Sequence, residues 1–178
     1  YLLETADSTT VRWCGSCHDP VMLYSGLMLS RPKMDIPEAA SGITCEVCHG
    51  IVDIPDITGN SNYILDTPVE YPFSHSTGIL GGVNKMLIKL KPKAHSKGML
   101  NPIHTGEKFC ATCHKVSLDV EINNYKWLRG QDEYDAWQAS GVSYNAVASF
   151  YNPPIPLDCR NCHMYNVPSN DMGNNKGI

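Results

Sequence analysis

The sequence lacks long apolar runs, is poor in aromatic residues and carries no excess of positive charge. No stretch approaches the roughly 18 apolar residues of a membrane helix, so we expect no membrane span in this chain. Aromatic residues are 8% of the 178, and only three are Phe, which is little ordinary core material. The 14 basic and 18 acidic residues give a net charge of −4, which argues against a nucleic-acid surface.

Cysteine, in contrast, is abundant and placed in a strict pattern. Each pair of cysteines is separated by two residues and followed directly by a histidine, and no cysteine falls outside a pair. In chain order, the four motifs contain Cys14, Cys17 and His18; Cys45, Cys48 and His49; Cys110, Cys113 and His114; and Cys159, Cys162 and His163.

This spacing matches the chemistry of covalent haem attachment. Two cysteines three positions apart reach the two vinyl groups on one edge of a haem and form thioethers, and the adjacent histidine becomes the proximal iron ligand. A zinc ribbon does not need a histidine after each pair, and a thioredoxin-like site needs one such pair rather than four. The sequence therefore predicts four haems c, attached through all eight cysteines.

Haem attachment of this kind takes place outside the cytoplasm, so we expect a periplasmic or extracellular protein. The haem propionates add negative charge to a chain that is already acidic. Such a surface favours a basic redox partner or a metal oxide over nucleic acid.

The histidine count leaves one iron short of a sixth ligand. Seven histidines less four proximal ones leave His75, His95 and His104 as candidate distal ligands. The fourth iron has three options: a methionine sulfur, for which Met28 is the first candidate; an open position that binds a small molecule; or a ligand from outside the chain. The alternative role of each methionine is to fill gaps against the porphyrin.

The expected architecture is mainly α with much irregular loop, wrapped around the four haems. Helices are predicted over 13–18, 20–29 and 132–150, a small β-hairpin over 57–65, and a loop around Gly78, Gly81 and Gly82. We treat 1–178 as a single tetrahaem domain. An alternative division has two-haem lobes at about 1–75 and 76–167, with a tail at 168–178.

Two segments carry a resemblance to a known family. The run from Arg129 to Gly141 leads to a fourth motif followed by Met164, and together with the other motifs it resembles the multihaem c-type cytochromes. More narrowly, it is similar to the tetrahaem electron carriers related to the hydroxylamine-oxidation pathway. The resemblance implies haems packed in close edge-to-edge pairs with little regular sheet. The distal histidine that this family usually has just after the position of Ser140 is absent here.

The function expected from these features is electron transfer through a chain of four haems, with redox proteins as partners and no enzymatic activity. One alternative is a subunit of an extracellular cytochrome filament, with copies of itself as partners, or a haem module of a larger redox complex. A second alternative is a reductase of a small nitrogen oxide at an open haem. All four motifs keep the ordinary proximal histidine, which disfavours the reductase.

Overall fold

The computed structural model describes residues 7–29, 34–67, 70–118, 120, 127–144, 152–165 and 167–168. About 53% of these residues are helical, and the strands form two small antiparallel sheets. The predicted mainly α class is confirmed, and the second sheet was not predicted.

The helices are short and follow one another through irregular connections. They are α1 (Ser8–His18), α2 (Pro20–Tyr24), α3 (Pro37–Ser41), α4 (Cys45–Gly50), α5 (Gly78–Leu90), α6 (Pro92–Met99), α7 (Glu107–His114), α8 (Glu133–Ala139) and α9 (Cys159–His163), with 3₁₀ turns at Pro102–Thr105 and Gly141–Ser143. The strands are β1 (Ile51–Asp53), β2 (Ile64–Leu65), β3 (Ser117–Leu118) and β4 (Leu128–Arg129). β1 pairs with β2, and β3 pairs with β4.

Local chemistry fixes where several helices begin. The side chains of Asp7, Thr44 and Asp158 accept backbone N–H bonds in the first turns of α1, α4 and α9. Pro20 and Pro37 open α2 and α3, because proline at the first helical position loses no helical hydrogen bond. Three of the four predicted haem motifs thus lie on helices that begin at a side-chain cap.

Three differences from the sequence predictions concern element bounds. The helix that begins at Pro20 ends at Tyr24 rather than Leu29. Only Ile64 and Leu65 of the predicted hairpin are strand, and they pair with β1 across a longer loop. The glycines from Gly78 to Gly82 lie inside α5 rather than in a loop.

Two helices organise the packing around the motifs. α7, which carries the third motif, packs against α8, α9 and the 3₁₀ turn at Pro102–Thr105. α4, which carries the second motif, packs against α6 and β1. The two-lobe division near residue 75 stays a prediction, and a hydrogen bond from Ser61 N to Thr112 O joins its two sides. Apart from Pro168, the predicted tail at 168–178 lies outside the described residues.

The protein buries little apolar surface by itself. Among the described residues, the buried apolar side chains are Val11, Pro20, Met22, Met28, Ile51, Ala111, Tyr134 and Pro153. None of the described residues of α5 is buried, and its Ile79 and Leu90 are 88% and 67% exposed. The chain exposes 12536 Å², whereas a folded monomer of its mass exposes about 8,600 Å². Within the described ranges, every helix is too short or too polar to cross a bilayer.

Candidate haem-binding site

Each of the four motifs forms the last turns of a helix or a short helix of its own. α1 ends at His18, α4 contains Cys45–His49, α7 ends at His114, and α9 runs from Cys159 to His163. On a helix, positions three and four apart lie on one face. Each motif therefore presents its two sulfurs and its imidazole on the same side, and all eight thiols are free.

The first and third motifs meet through their second cysteines. A hydrogen bond from the Cys113 thiol lowers the pKa of Cys17 to about 6, and Ser61 also contributes. The pKa of Cys113 is raised, first by this bond and then by burial. Because the two thiols are in contact, the predicted attachment points of the first and third haems are adjacent.

The second, third and fourth motifs share one cavity of about 240 Å³. Cys48 and His49 line it from the second motif, Cys110 from the third and Cys159 from the fourth. Burial, together with the neighbouring Cys159, raises the pKa of Cys110 to about 11. Burial also raises the pKa of Cys48. We call this space the shared cavity.

His104, one of the predicted distal ligands, also lines the shared cavity. Its ring lies edge-on to that of His49, with the ring centroids 5.0 Å apart, and edge-on to Phe109 at 5.1 Å. Nε2 of His104 lies 3.1 Å from Ile51 O, while Nδ1 is buried without a hydrogen-bond partner. A buried imidazole nitrogen without a hydrogen-bond partner calls for an explanation, and a bound metal ion is one that suits this atom.

His49 is held as iron-binding histidines usually are. Its Nδ1 donates to the backbone carbonyl of Met99, at the end of α6. A second hydrogen bond of this kind fixes the ring orientation and leaves Nε2 available to a metal. The donor set of the shared cavity, with cysteines of three motifs and the imidazoles of His49 and His104, would therefore suit a haem c.

A second cavity, of about 210 Å³, belongs to the first motif. It is lined by Cys14, Cys17 and His18, by Trp13, by Asn60 and Ser61, and by Val116, Gly130 and Gln131 near the β3–β4 sheet. Burial raises the pKa of Cys14. Among the described residues that line this first-motif cavity, His18 is the only histidine and there is no methionine.

The other candidate ligands lie in different surroundings. His75 is 85% exposed, and its Nε2 lies 2.9 Å from Glu70 Oε2. The backbone of His95 belongs to α6, which packs against α4, but its side chain is outside the described part of the structure. Met28 is buried with Val11 and Met22. This position agrees with the alternative role of a methionine, which is to fill space in the packing rather than to bind iron. The ligand roles of His75, His95 and Met28 stay predictions.

Three of the histidines predicted to be proximal ligands are open to solvent at their helix ends. His18, His114 and His163 are exposed, and His114 Nδ1 lies 4.0 Å from Glu133 Oε2. Their rings can therefore be reached by a group bound outside the polypeptide. No three or more His, Cys, Asp or Glu side chains in the described ranges converge into a metal-ion site.

Sequence reasoning missed the backbone carbonyls that hold the histidines and the role of the 59–63 loop. Met99 O and Ile51 O carry no side-chain signal, so no pattern could have identified them. Ser61 follows Gly59 and Asn60, which the sequence predicts to form the turn of a hairpin. Nothing in that pattern indicates that the turn contacts two of the motifs.

Comparison with known proteins adds no relative. No protein-family model, no curated protein and no solved structure matches the chain.

Proposed function

We propose that this chain binds four haems c and transfers electrons through them, outside the cytoplasm, without catalysing a reaction of its own. The observation that carries the proposal is the shared cavity, in which cysteines of three motifs come together with His49 and with His104, whose buried Nδ1 has no hydrogen-bond partner. When bound, haem supplies the one-electron couple of its iron.

The residues around the motifs have roles that suit this function. His49, oriented by Met99 O, would be a ligand to the haem iron, and His104 lines the same cavity. The contacts of Cys17 with Cys113, and of Cys110 with Cys159, keep neighbouring attachment points close. Closely spaced redox groups are what an electron-transfer chain needs, and no substrate pocket is required.

The thin protein core supports the same proposal. The exposed apolar residues of α5, among them Ile79, Leu80 and Leu90, have too little protein around them to be buried. Large apolar porphyrins supply the missing partner surface. The partners of the holoprotein are then redox proteins. The chain could instead assemble with copies of itself or within a larger redox complex. In either case the haem chemistry would be the same, and only the binding partners would differ.

The test is the haem content of protein exported by a host that attaches haem c. We expect denaturing mass spectrometry to give the chain plus four haems and no free thiols, and we expect all four haems to be reduced by dithionite and reoxidised by a one-electron carrier. Cys45→Ala/Cys48→Ala should lose one haem and keep three. Fewer than four haems in the unaltered protein, or about one zinc per chain, would contradict the proposal.

A second candidate function is the binding of a small molecule at an open iron of the first motif. It is favoured by the first-motif cavity, whose described lining offers no second histidine or methionine opposite His18. We expect the ferrous protein to bind one equivalent of CO without loss of another ligand, and the Cys14→Ala/Cys17→Ala variant to bind none. A ferric protein with four low-spin haems and no CO binding would rule out this candidate.

A further inference from the structure

The loop from Gly59 to Tyr63 is bonded to the end of the third-motif helix. The backbone N–H of Ser61 donates to Thr112 O at 2.7 Å, and that of Asn60 donates to Lys115 O at 3.0 Å. These carbonyls lie at the carboxyl end of α7, where helices leave acceptors unsatisfied. The loop therefore caps the helix that carries Cys113 and His114.

The same loop is bonded to the end of the first-motif helix. Ser61 Oγ lies 2.6 Å from Ser16 Oγ and 2.7 Å from Cys17 Sγ. The hydroxyl of Tyr63 donates to Ser16 O at 2.7 Å. One short segment thus joins the two helices whose second cysteines are in contact.

The loop has an unfavourable backbone conformation that hydrogen bonds to a neighbouring strand stabilise. Gly59, Asn60 and Ser61 have φ angles of 77°, 52° and 61°, all in the left-handed region. For the two residues that are not glycine this conformation is unfavourable, because the Cβ comes close to the following carbonyl oxygen. Asn60 is fixed by a reciprocal pair of bonds with Ser117, since its Nδ2 donates to Ser117 O at 2.9 Å and its Oδ1 accepts from Ser117 N at 2.8 Å.

We propose that Ser61 is a positioning residue for electron transfer, which donates a hydrogen bond to the haem-bearing sulfur of Cys17 while its backbone N–H holds the third-motif helix. The inference rests on the proposed function. Once Cys17 is a thioether its sulfur has no proton, so the Ser61 hydroxyl is the donor of the 2.7 Å contact. A hydrogen bond beside a redox group tunes its potential.

Removal of the hydroxyl should lower one of the four midpoint potentials, because the sulfur loses a donor that withdraws electron density from the ferrous haem. The test is an optical redox titration and an EPR spectrum of the tetrahaem Ser61→Ala protein. Ser61→Gly is the second variant, because glycine accepts the left-handed φ of 61° without strain.

The matched control is Ser41→Ala, which removes an exposed hydroxyl that is bonded only within α3, to Pro37 O, among the described contacts. It should leave all four potentials unchanged. In a Cys14→Ala/Cys17→Ala background, Ser61→Ala should not change the three potentials that remain.

Two results would overturn the inference. One is unchanged potentials and EPR spectra in both Ser61→Ala and Ser61→Gly. The other is a shift that persists when the first haem is absent. An unaltered protein that fails to carry four haems is a different result, because it contradicts the proposed function itself.

Discussion

His104 presents its two ring nitrogens to different surroundings, which makes it the best defined of the candidate distal ligands. Nε2 is bonded to Ile51 O, while the buried Nδ1 has no partner. We expect His104→Gly to convert one of the four haems from low spin to high spin, as measured by EPR of the ferric protein. Added imidazole should restore the low-spin signal, because it replaces the lost ring. An unchanged spectrum without imidazole would refute the assignment.

Asp135 ties the third motif to α8 and gives the protein a pH-dependent contribution to stability. Its Oδ1 lies 2.9 Å from Lys115 Nζ, and its Oδ2 pairs with Arg129. The bonds with Lys115 and then Arg129 lower the pKa of Asp135 below its usual 3.8. The stabilisation is therefore fully present above pH 3.8 and is lost as the pH falls through the lowered value.

We expect Asp135→Asn to reduce the free energy of unfolding of the holoprotein at pH 7 by about 1 kcal/mol. The difference between variant and unaltered protein should shrink as the pH falls below 3.8, as measured by denaturant titrations across that range. A difference of constant size from pH 7 to pH 3 would show that the carboxylate charge is not responsible.

Single residues also mark how far the sequence could predict the site. The Cys-x-x-Cys-His spacing defines the predicted attachment residues, and the histidine count identifies His104, which lies in the shared cavity. The closeness of Met28 to the first motif in sequence makes it a candidate ligand, whereas the structure places it in the buried cluster with Val11 and Met22. Sequence distance gives the reach of a side chain but not the direction in which it points.

At the scale of elements, the approach of the 59–63 loop to α7 leaves no room for a side chain at Gly59. A Cβ there would lie 1.8 Å from Lys115 O, and the φ of 77° is itself left-handed. Gly26 has the same φ of 77° but nothing within 4 Å, so it serves as a control for backbone strain alone.

We expect Gly26→Ala to cost about 1–2 kcal/mol of unfolding free energy, which is the left-handed penalty. Gly59→Ala should cost about 1–3 kcal/mol more, because the new methyl group collides with backbone. Denaturant titration of the holoproteins gives both values. Equal losses in the two variants would mean that the loop does not press against α7.

Elements were predicted well where local chemistry decides and poorly where packing decides. The predicted helix from Asp132 begins as expected, but α8 ends at Ala139, where Ser140 accepts a bond from Val142 N and starts a 3₁₀ turn. The α5 glycines suggested a loop, because each glycine costs a helix about 1 kcal/mol. The structure nevertheless carries α5 through these glycines to Leu90. The residues of the predicted 132–150 helix from 145 onward lie outside the described ranges.

At the scale of the whole molecule, the main feature is exposed apolar surface. The sequence indicated only that the chain has few residues from which to build a core. The sequence predicts one tetrahaem domain, but its pattern cannot tell which motifs meet, because residues such as Ser61 and Thr112 lie far apart in the chain. The structure pairs the first motif with the third and gathers the second, third and fourth around one cavity. Long-range contacts of this kind depend on the complete fold.

The small core also predicts how the chain behaves without haem. Few described side chains are buried, and α5 exposes Ile79, Leu80, Met86 and Leu90. Burial of apolar surface is the main favourable term in folding, so the polypeptide alone has little to set against its conformational entropy. We expect the haem-free chain, made in a reducing cytoplasm, to bind the dye ANS and to unfold without a cooperative transition. The tetrahaem protein should exclude the dye and melt cooperatively. A haem-free chain that melts cooperatively at the temperature of the holoprotein would show that the haems do not complete the core.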